Sequence, residues 1–229
     1  MKRIYLKCRQ KHFAPKHVAE VGVYLPDTSN VVDFAKDHIR TTLVEAHPTY
    51  ITKIQSYFEE YPNVTLHPVA VYDVPGHLKI ITRGASTYIE HIAASPSVIN
   101  DGLSSEEGDT ITVPSERFDK IDDGTIDLLS IDVEGAEWFV IKHMKSRPTV
   151  ISIETHGKLY TNPYLTEISS WMKANLYRVW YKDNSDTVYL KENQLPVDSS
   201  DKVKLSFKNI HLKFRQNKSR VKRFFKRLF

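Results

Sequence analysis

Short apolar segments alternate with amphipathic ones along most of the chain, and this alternation constrains the fold more than any other feature. Strands that alternate with helices form parallel sheets with helices on both faces. Two apolar segments, 177–181 and 187–191, flank Asp183-Asn184-Ser185 and predict an antiparallel hairpin. The sequence therefore predicts an α/β fold, a doubly wound, mostly parallel seven-stranded sheet with a C-terminal antiparallel hairpin. The other five predicted strands are residues 17–23, 41–46, 63–71, 126–131 and 149–154.

Four segments between these strands carry apolar residues at helical spacing. Ser29 is the predicted N-cap of the first, and Pro68 predicts an irregularity in the third strand because proline lacks a backbone donor. Residues 84–118 show little periodicity; only 111–113 are predicted as strand there, and 78–82 are predicted as a short extra strand. The predicted helices are residues 30–38, 50–61, 134–144 and 165–175.

The chain has 229 residues, of which 41% are hydrophobic, and this suits one core and one domain. We assign residues 1–195 to that domain and residues 196–229 to a linker and a basic amphipathic tail. No apolar segment is long enough to span a bilayer, and the N-terminus lacks the apolar stretch of a secretory signal. Cys8 is the single cysteine, which suits a reducing compartment. These features predict a cytoplasmic protein.

The net charge of +4 is unevenly distributed. Residues 202–229 hold seven Lys, four Arg and no acidic residue, which leaves residues 1–201 with a net charge of about −7. Such an acidic body disfavours nucleic acid as a partner. The tail pattern suits a helix that lies peripherally on an anionic membrane. A solvated tail, and a tail that binds an acidic face of this protein or of a partner, are the alternatives. Apolar residues recur in the tail near helical spacing at Ile210, Phe214, Val221, Phe224, Phe225 and Leu228.

Ligands of open α/β sheets bind beyond the carboxyl ends of the strands, where the strand order reverses. After the first predicted strand, Gly22 allows a ligand to approach the backbone closely, although a tight turn alone also favours glycine. Glu45 follows the second strand, 23 residues after Gly22, which matches the acid that binds ribose hydroxyls in dinucleotide folds. The two residues together predict a nucleoside site. A nicotinamide-dependent oxidoreductase would share this acid, but its full glycine signature is absent here.

A second group of polar residues follows the fourth and fifth strands. Asp132 and Glu134 come after residues 126–131, and Glu154 and His156 come at the end of the fifth strand. His156 lies in the predicted ligand crevice beside these acids and is a candidate catalytic residue, although a lone histidine is more often structural. Asp132 could simply cap the following helix. The acids are oxygen ligands, but no metal-binding spacing is evident, and we predict no metal.

The run IDLLSIDVEGAEWFVIKHM, residues 126–144, resembles the most specific segment of the FkbM-type methyltransferases. The resemblance covers residues 17–192 and implies a Rossmann-like fold, S-adenosylmethionine as cofactor and methyl transfer to a hydroxyl. In one departure, the family usually has a second glycine where this chain has Tyr24-Leu25-Pro26-Asp27. Other segments resemble the family in the same order along the chain: HVAEVGVYLPDTSN, TTLVEAHP, LHPVAVYD, GASTYI and VISIETH.

The resemblance also implies roles for individual residues and an acceptor. The acceptor would be a hydroxyl of a sugar in a glycan or glycoconjugate, or of a small natural product. An enzyme that acts on RNA or a nucleotide, and a binding module without catalysis, are the alternatives. The implied contacts are Glu20 and Gly22 with the methionine portion of the cofactor, Val23 with the cofactor, Glu45 with its ribose, Ala70, Val71 and Asp73 with its adenine, and Asp132 with the sulfonium. For methyl transfer to a hydroxyl, His156 would be the base, because a neutral histidine can accept the proton, and Asp132 would orient it, so these two are the predicted catalytic pair.

Overall fold

The computed structural model describes residues 1–82, 84, 87–90, 99 and 109–226, with the backbone alone for residues 220–226. The strands in chain order are β1 (His17–Val21), β2 (Arg40–Val44), β3 (Val64–His67), β4 (Ala70–Val71), β5 (Gly76–Thr82), β6 (Tyr88–Ile89), β7 (Asp109–Glu116), β8 (Leu128–Ile131), β9 (Val150–Glu154), β10 (Tyr177–Lys182) and β11 (Asp186–Lys191). Seven of them form one sheet with the order β10-β11-β9-β8-β1-β2-β3.

The strand order of this sheet reverses between β1 and β8. From β1 the chain adds β2 and β3 on one side and later adds β8 and β9 on the other, all in parallel. Strand β11 runs antiparallel to both β9 and β10. The predicted α/β fold with its C-terminal hairpin is therefore confirmed. The carboxyl ends of β1 and β8 mark the crevice where a ligand of such a sheet is expected.

A second sheet, with the order β4-β7-β5-β6, is formed by the segment between β3 and β8. The prediction of a single strand over residues 63–71 is wrong. The strand is interrupted at Pro68, and its two halves join different sheets. Strand β3 pairs with β2, while β4 pairs with β7. The irregularity expected at Pro68 is thus the passage from one sheet to the other, and the predicted segments 78–82 and 111–113 lie within β5 and β7.

The helices differ from the predicted ones mainly at their ends. Helix α4 begins at Glu137 rather than at residue 134, because Glu134 and Gly135 have φ angles of 53° and 102°, outside the helical region. Ser29 does not directly precede α2, whose N-cap position is Val31; its hydroxyl accepts from the N–H of Val31 at 3.2 Å and donates to Glu20. Helix α1 was not predicted, and α6 begins inside the predicted linker. The helices are α1 (Arg3–Gln10), α2 (Val32–Lys36), α3 (Pro48–Tyr57), α4 (Glu137–Lys142), α5 (Leu165–Ala174) and α6 (Ser199–Lys226).

Alternate residues of the central strands pack on opposite faces of the large sheet, as the two-residue period of a strand requires. Val18, Leu43 and Leu128 pack with buried side chains of α2 and α3. Their chain neighbours Ala19, Val44 and Leu129 pack with buried side chains of α4 and α5 on the other face. Helices therefore cover both faces. None of the helices in the described part of the chain combines the length and the apolar character needed to cross a bilayer.

Candidate active site

A cavity of about 310 Å³ opens at the carboxyl ends of β1, β2 and β8, where the strand order reverses. Residues of β4, β5 and β6 also line it, so the second sheet contributes to its wall. This is the position expected for a ligand of an open α/β sheet. The lining includes Glu20, Gly22, Val23, Tyr24, Glu45, Ala70, Val71, Tyr88, Asp132 and Glu134.

Gly22 joins the ends of β1 and β8. Its φ is +84°, and a Cβ at this position would lie 1.8 Å from the carbonyl oxygen of Asp132. The backbone N–H of Asp132 also donates to the carbonyl of Val21 at 2.9 Å. Glycine is therefore required because the two strand ends are in backbone contact, in addition to any need for a ligand to approach.

The Glu45 carboxylate is bound by backbone donors on both of its oxygens. Oε2 accepts from the N–H groups of Val23 and Tyr24 at 3.1 and 2.9 Å. Oε1 accepts from the N–H groups of Ala46 and His47 at 2.9 and 2.8 Å. These bonds use the lone pairs through which Glu45 was expected to hold a ribose. Glu45 lines the cavity as predicted, but in this structure it holds together the loops after β1 and β2.

Tyr24 begins the segment Tyr24-Leu25-Pro26-Asp27, where the resemblance would place a second glycine, and it adopts a backbone conformation typical of glycine. Its φ is 60°, which is costly for a side chain with a Cβ. The hydrogen bond to Glu45 and an edge-to-face contact with Tyr50, with 4.6 Å between ring centroids, hold it there. Tyr24 was not among the predicted site residues; the missing glycine was the available signal.

The residues expected near the adenine divide into two groups. Ala70 and Val71 line the cavity, while Asp73 is not among the described residues that do. Oδ1 of Asp73 lies 2.7 Å from both Lys142 Nζ and His143 Nε2, and these hydrogen bonds lower the pKa of Asp73. We therefore drop Asp73 from the expected adenine contacts, because its carboxylate is bound to α4 and the residue after it.

Two further polar groups on the cavity wall are buried. Burial raises the pKa of Glu20 to about 8, although Ser29 and the backbone of Asn30 donate hydrogen bonds to its carboxylate. The hydroxyl of Tyr88 has no hydrogen-bond partner among the described residues. Tyr88 belongs to the GASTYI segment, which the resemblance matched without giving it a role. Both groups could therefore form hydrogen bonds with a ligand in the cavity.

Asp132, Glu137 and Glu154, which we call the acidic triad, lie at the carboxyl ends of β8 and β9 and at the start of α4. Each has a carboxylate oxygen within 4.8 Å of those of the other two. Asp132 reaches solvent through the cavity, but the surrounding protein and the neighbouring charges of Glu137 and Asp183 raise its pKa. Burial and the charge of Asp132 likewise raise the pKa of Glu154. The triad therefore retains protons more strongly than ordinary carboxylates do.

Glu137 is the structural member of this triad and was not among the predicted site residues. Its Oε1 accepts from the backbone N–H groups of Val133 and Gly135 at 3.1 and 3.2 Å, and its Oε2 accepts from Asn162. Oε2 of Glu154, by contrast, has no hydrogen-bond partner among the described residues. Three carboxylates at this spacing could hold a divalent cation. Glu137 is the poorest ligand of the three because donors already occupy both of its oxygens.

His156 is held by the β10–β11 turn. Strand β9 ends at Glu154, and the N–H groups of Thr155 and His156 both donate to the same carbonyl of that turn. Nδ1 of the ring lies 2.9 Å from Thr155 Oγ1, and Nε2 lies 3.4 Å from a second carbonyl of the turn. Burial lowers the pKa of His156 to about 4. Among the described residues, neither ring contact is with Asp132, so the predicted Asp132–His156 pair is not formed here.

Several solved structures are similar to this chain at low sequence identity. One is a precorrin-6y C5,15-methyltransferase from Geobacter metallireducens GS-15, with 14% identity, 81% of this chain and 83% of that chain covered, and a TM-score of 0.38. Another is fibrillarin from Aeropyrum pernix with natively bound S-adenosyl-L-methionine, with 12% identity, 82% and 74% coverage, and a TM-score of 0.43. A third is an SAH-bound methyltransferase from Podospora anserina, with 13% identity, 82% and 76% coverage, and a TM-score of 0.42. A search of curated proteins found no matching sequence.

A match to a sequence model of a protein family shows the family to which the chain belongs. The sequence model described as "Methyltransferase FkbM domain" matches residues 18–179. This match begins in β1 and ends in β10, so it includes the strand ends that form the cavity and carry the acidic triad. The chain therefore belongs to the FkbM methyltransferase family and is an S-adenosylmethionine-dependent methyltransferase.

Proposed function

We propose that this methyltransferase acts on a hydroxyl group, that of a sugar in a glycan or glycoconjugate, and that Asp132 is the catalytic base. The observation that carries the proposal is the acidic triad beside the cavity. Asp132 lines the cavity, and Glu154, its neighbour in the triad, has an oxygen without a hydrogen-bond partner among the described residues. A carboxylate at the mouth of a cofactor cavity can accept a proton from an incoming hydroxyl.

The raised pKa of Asp132 suits this role. An alcohol is a poor nucleophile until its proton is removed, and a base with a pKa closer to the working pH removes it more readily. Asp132 meets this condition because the surrounding protein and the neighbouring charges of Glu137 and Asp183 raise its pKa. The pKa of His156 is lowered to about 4, and its ring nitrogens have other contacts, so it is the weaker candidate.

The cofactor would occupy the cavity beside this base. When bound, S-adenosylmethionine supplies a methyl group on a sulfonium, and the protein aligns it with the acceptor oxygen. Glu20 would face the methionine ammonium, and Ala70 and Val71 would contact the adenine. The Glu45 carboxylate would act mainly through the loop that it holds, since backbone donors occupy both of its oxygens.

Charge favours a sugar over a nucleic acid as the acceptor. Carboxylates accept hydrogen bonds from sugar hydroxyls but repel phosphates. The body of the chain, residues 1–201, which includes the triad, carries a net charge of about −7. RNA, nucleotides and small natural products are the competing acceptors in the test.

A methyl-transfer screen with labelled S-adenosylmethionine over oligosaccharides, glycolipids, nucleotides and RNA tests the proposal. We expect label in a sugar fraction, with D132N reducing turnover by about 100-fold or more while cofactor affinity stays near that of the wild type. H156Q should lower turnover far less than D132N does. Label only in RNA would contradict the sugar assignment, and wild-type turnover by D132N would remove Asp132 as the base.

A further inference from the structure

Helix α6 presents a row of apolar side chains to solvent, which we call the outer stripe: Val203, Phe207, Ile210 and Phe214. Their exposed fractions are 54%, 70%, 65% and 70%. The spacings of four, three and four residues place all of them on one narrow face of the helix. Isolated exposed apolar residues are ordinary, but a contiguous row with two phenylalanines marks an interaction surface.

The opposite face of α6 is attached to the body of the protein. Asp201 and Leu212 are 8% and 6% exposed. Oδ2 of Asp201 accepts from Trp180 Nε1 at 3.1 Å and lies 3.0 Å from Lys11 Nζ. One turn before Leu212, Lys208 Nζ donates to a side-chain oxygen of the β10–β11 turn at 3.1 Å. The helix is therefore docked by its inner face, and the outer stripe is left facing solvent.

Positive charge borders the outer stripe on both sides. At 100° per residue, Lys202 and Lys213 lie along one side of the stripe, and Lys204 and Lys218 lie along the other. All four side chains are exposed. Residues 202–229 contain eleven basic residues and no acidic one, so no acid of this segment neutralises the border. The surface is thus an apolar row between two cationic rows.

We propose that α6 binds the surface of an anionic lipid bilayer, with the outer stripe inserted at the boundary of the acyl chains and the lysines against the headgroups. Apolar insertion and attraction to anionic lipid are the two terms that drive such binding. Charge disfavours a second copy of this chain, because two facing stripes would bring their lysine rows together. A nucleic acid would use the lysines but leave the aliphatic members of the stripe without a role.

Flotation of the full chain with lipid vesicles tests this surface independently of the acceptor. We expect the protein to float with mixed phosphatidylcholine–phosphatidylglycerol vesicles and not with phosphatidylcholine alone. F207S/F214S should lower the fraction bound by about tenfold or more, because it removes two aromatic groups that enter the boundary. N209S/Q216S is the matched control, since its polar changes lie on the same helix away from the stripe. This control should float like the wild type.

Circular dichroism and the thermal shift on cofactor binding show whether each variant keeps its fold. If F207S/F214S does not fold, K204E/K218E replaces it and should reduce flotation on anionic vesicles through charge alone. Absence of flotation on anionic vesicles, or equal flotation of the stripe variant and the wild type, would overturn the proposal. So would binding to an RNA oligonucleotide without vesicle binding, or a dimer that F207S/F214S converts to monomer.

Discussion

Glu45 and Glu154 lie at the carboxyl ends of two parallel strands of one sheet. Among the described residues, Glu45 is matched, with a hydrogen-bond donor for each carboxylate oxygen, and Glu154 is not. Backbone N–H groups bind both oxygens of Glu45. One oxygen of Glu154 lacks a partner among the described residues, and its neighbours Asp132 and Glu137 are also acids. A matched carboxylate holds loops in place, whereas an unmatched one keeps its proton more strongly. Hydrogen bonds therefore hold the β1–β2 side of the site, whereas the β8–β9 side carries carboxyl groups with raised pKa values, which the proposed proton transfer would use.

The largest effect is expected where the two sides of the site meet, at the contact between the ends of β1 and β8. Gly22→Ala would place a Cβ 1.8 Å from the carbonyl oxygen of Asp132, so the ends of β1 and β8 must separate. We expect a loss of about 4 kcal/mol or more in the free energy of unfolding, measured by urea denaturation. Gly124→Ala is the matched control, because Gly124 also has a positive φ, +88°, but nothing lies within 4 Å of its added Cβ. It should cost about 1–2 kcal/mol, and equal losses in the two variants would contradict the steric account.

The next effect tests the matched carboxylate. Glu45→Gln replaces one acceptor oxygen by an NH₂ group that faces backbone donors, and it removes the negative charge that strengthens the remaining bonds. We expect a loss of about 2–4 kcal/mol in stability and weaker cofactor binding. Glu59→Gln, at an exposed position, should change neither. If Glu45→Gln is as stable as the wild type, the hydrogen bonds to Glu45 do not hold the loops.

Neutralising Glu154, the unmatched carboxylate, should stabilise the protein, whereas neutralising Glu45 should destabilise it. The pKa of Glu154 is raised above its unfolded value, so its contribution to stability is full below the unfolded pKa of 4.5 and is lost as pH rises towards the folded pKa. Glu154→Gln should therefore be more stable than the wild type at pH 8 by about 1–2 kcal/mol. The difference should shrink near pH 5 in thermal unfolding. A variant less stable than the wild type at pH 8 would mean that a favourable interaction of Glu154 outweighs the repulsion.

The smallest effect is a proton released when the cofactor binds. Burial raises the pKa of Glu20 to about 8, so at pH 7 most molecules carry a protonated Glu20. A methionine ammonium placed beside it would favour the carboxylate and release up to about one proton. Calorimetry at pH 7 in two buffers of different ionisation enthalpy should show this, and Glu20→Gln should abolish the difference. A binding enthalpy independent of the buffer would place the ammonium elsewhere.

The acidic triad was only partly predictable from the sequence. Asp132 and Glu154 follow apolar strands, so their position at one edge of the sheet could be inferred from the pattern. Glu137 looked like a residue of the helix that follows, and it reaches the triad because Glu134 and Gly135 leave the helical conformation. His156 was expected to pair with Asp132, but β9 ends at Glu154 and the β10–β11 turn holds the His156 ring. A local pattern does not reveal where a strand stops pairing.

The sequence alone determined the sheet, its hairpin, and the position of Gly22 and Asp132 at strand ends, because side-chain periodicity and turn chemistry act over a few residues. The tertiary structure decided which side chains are free to react. Glu45 meets its donors on two separate loops, Ala70 and Val71 join the second sheet, and His156 is held by a turn distant in sequence. Hydrogen-bond partners and burial, and the pKa shifts that follow from them, depend on residues brought together from far along the chain.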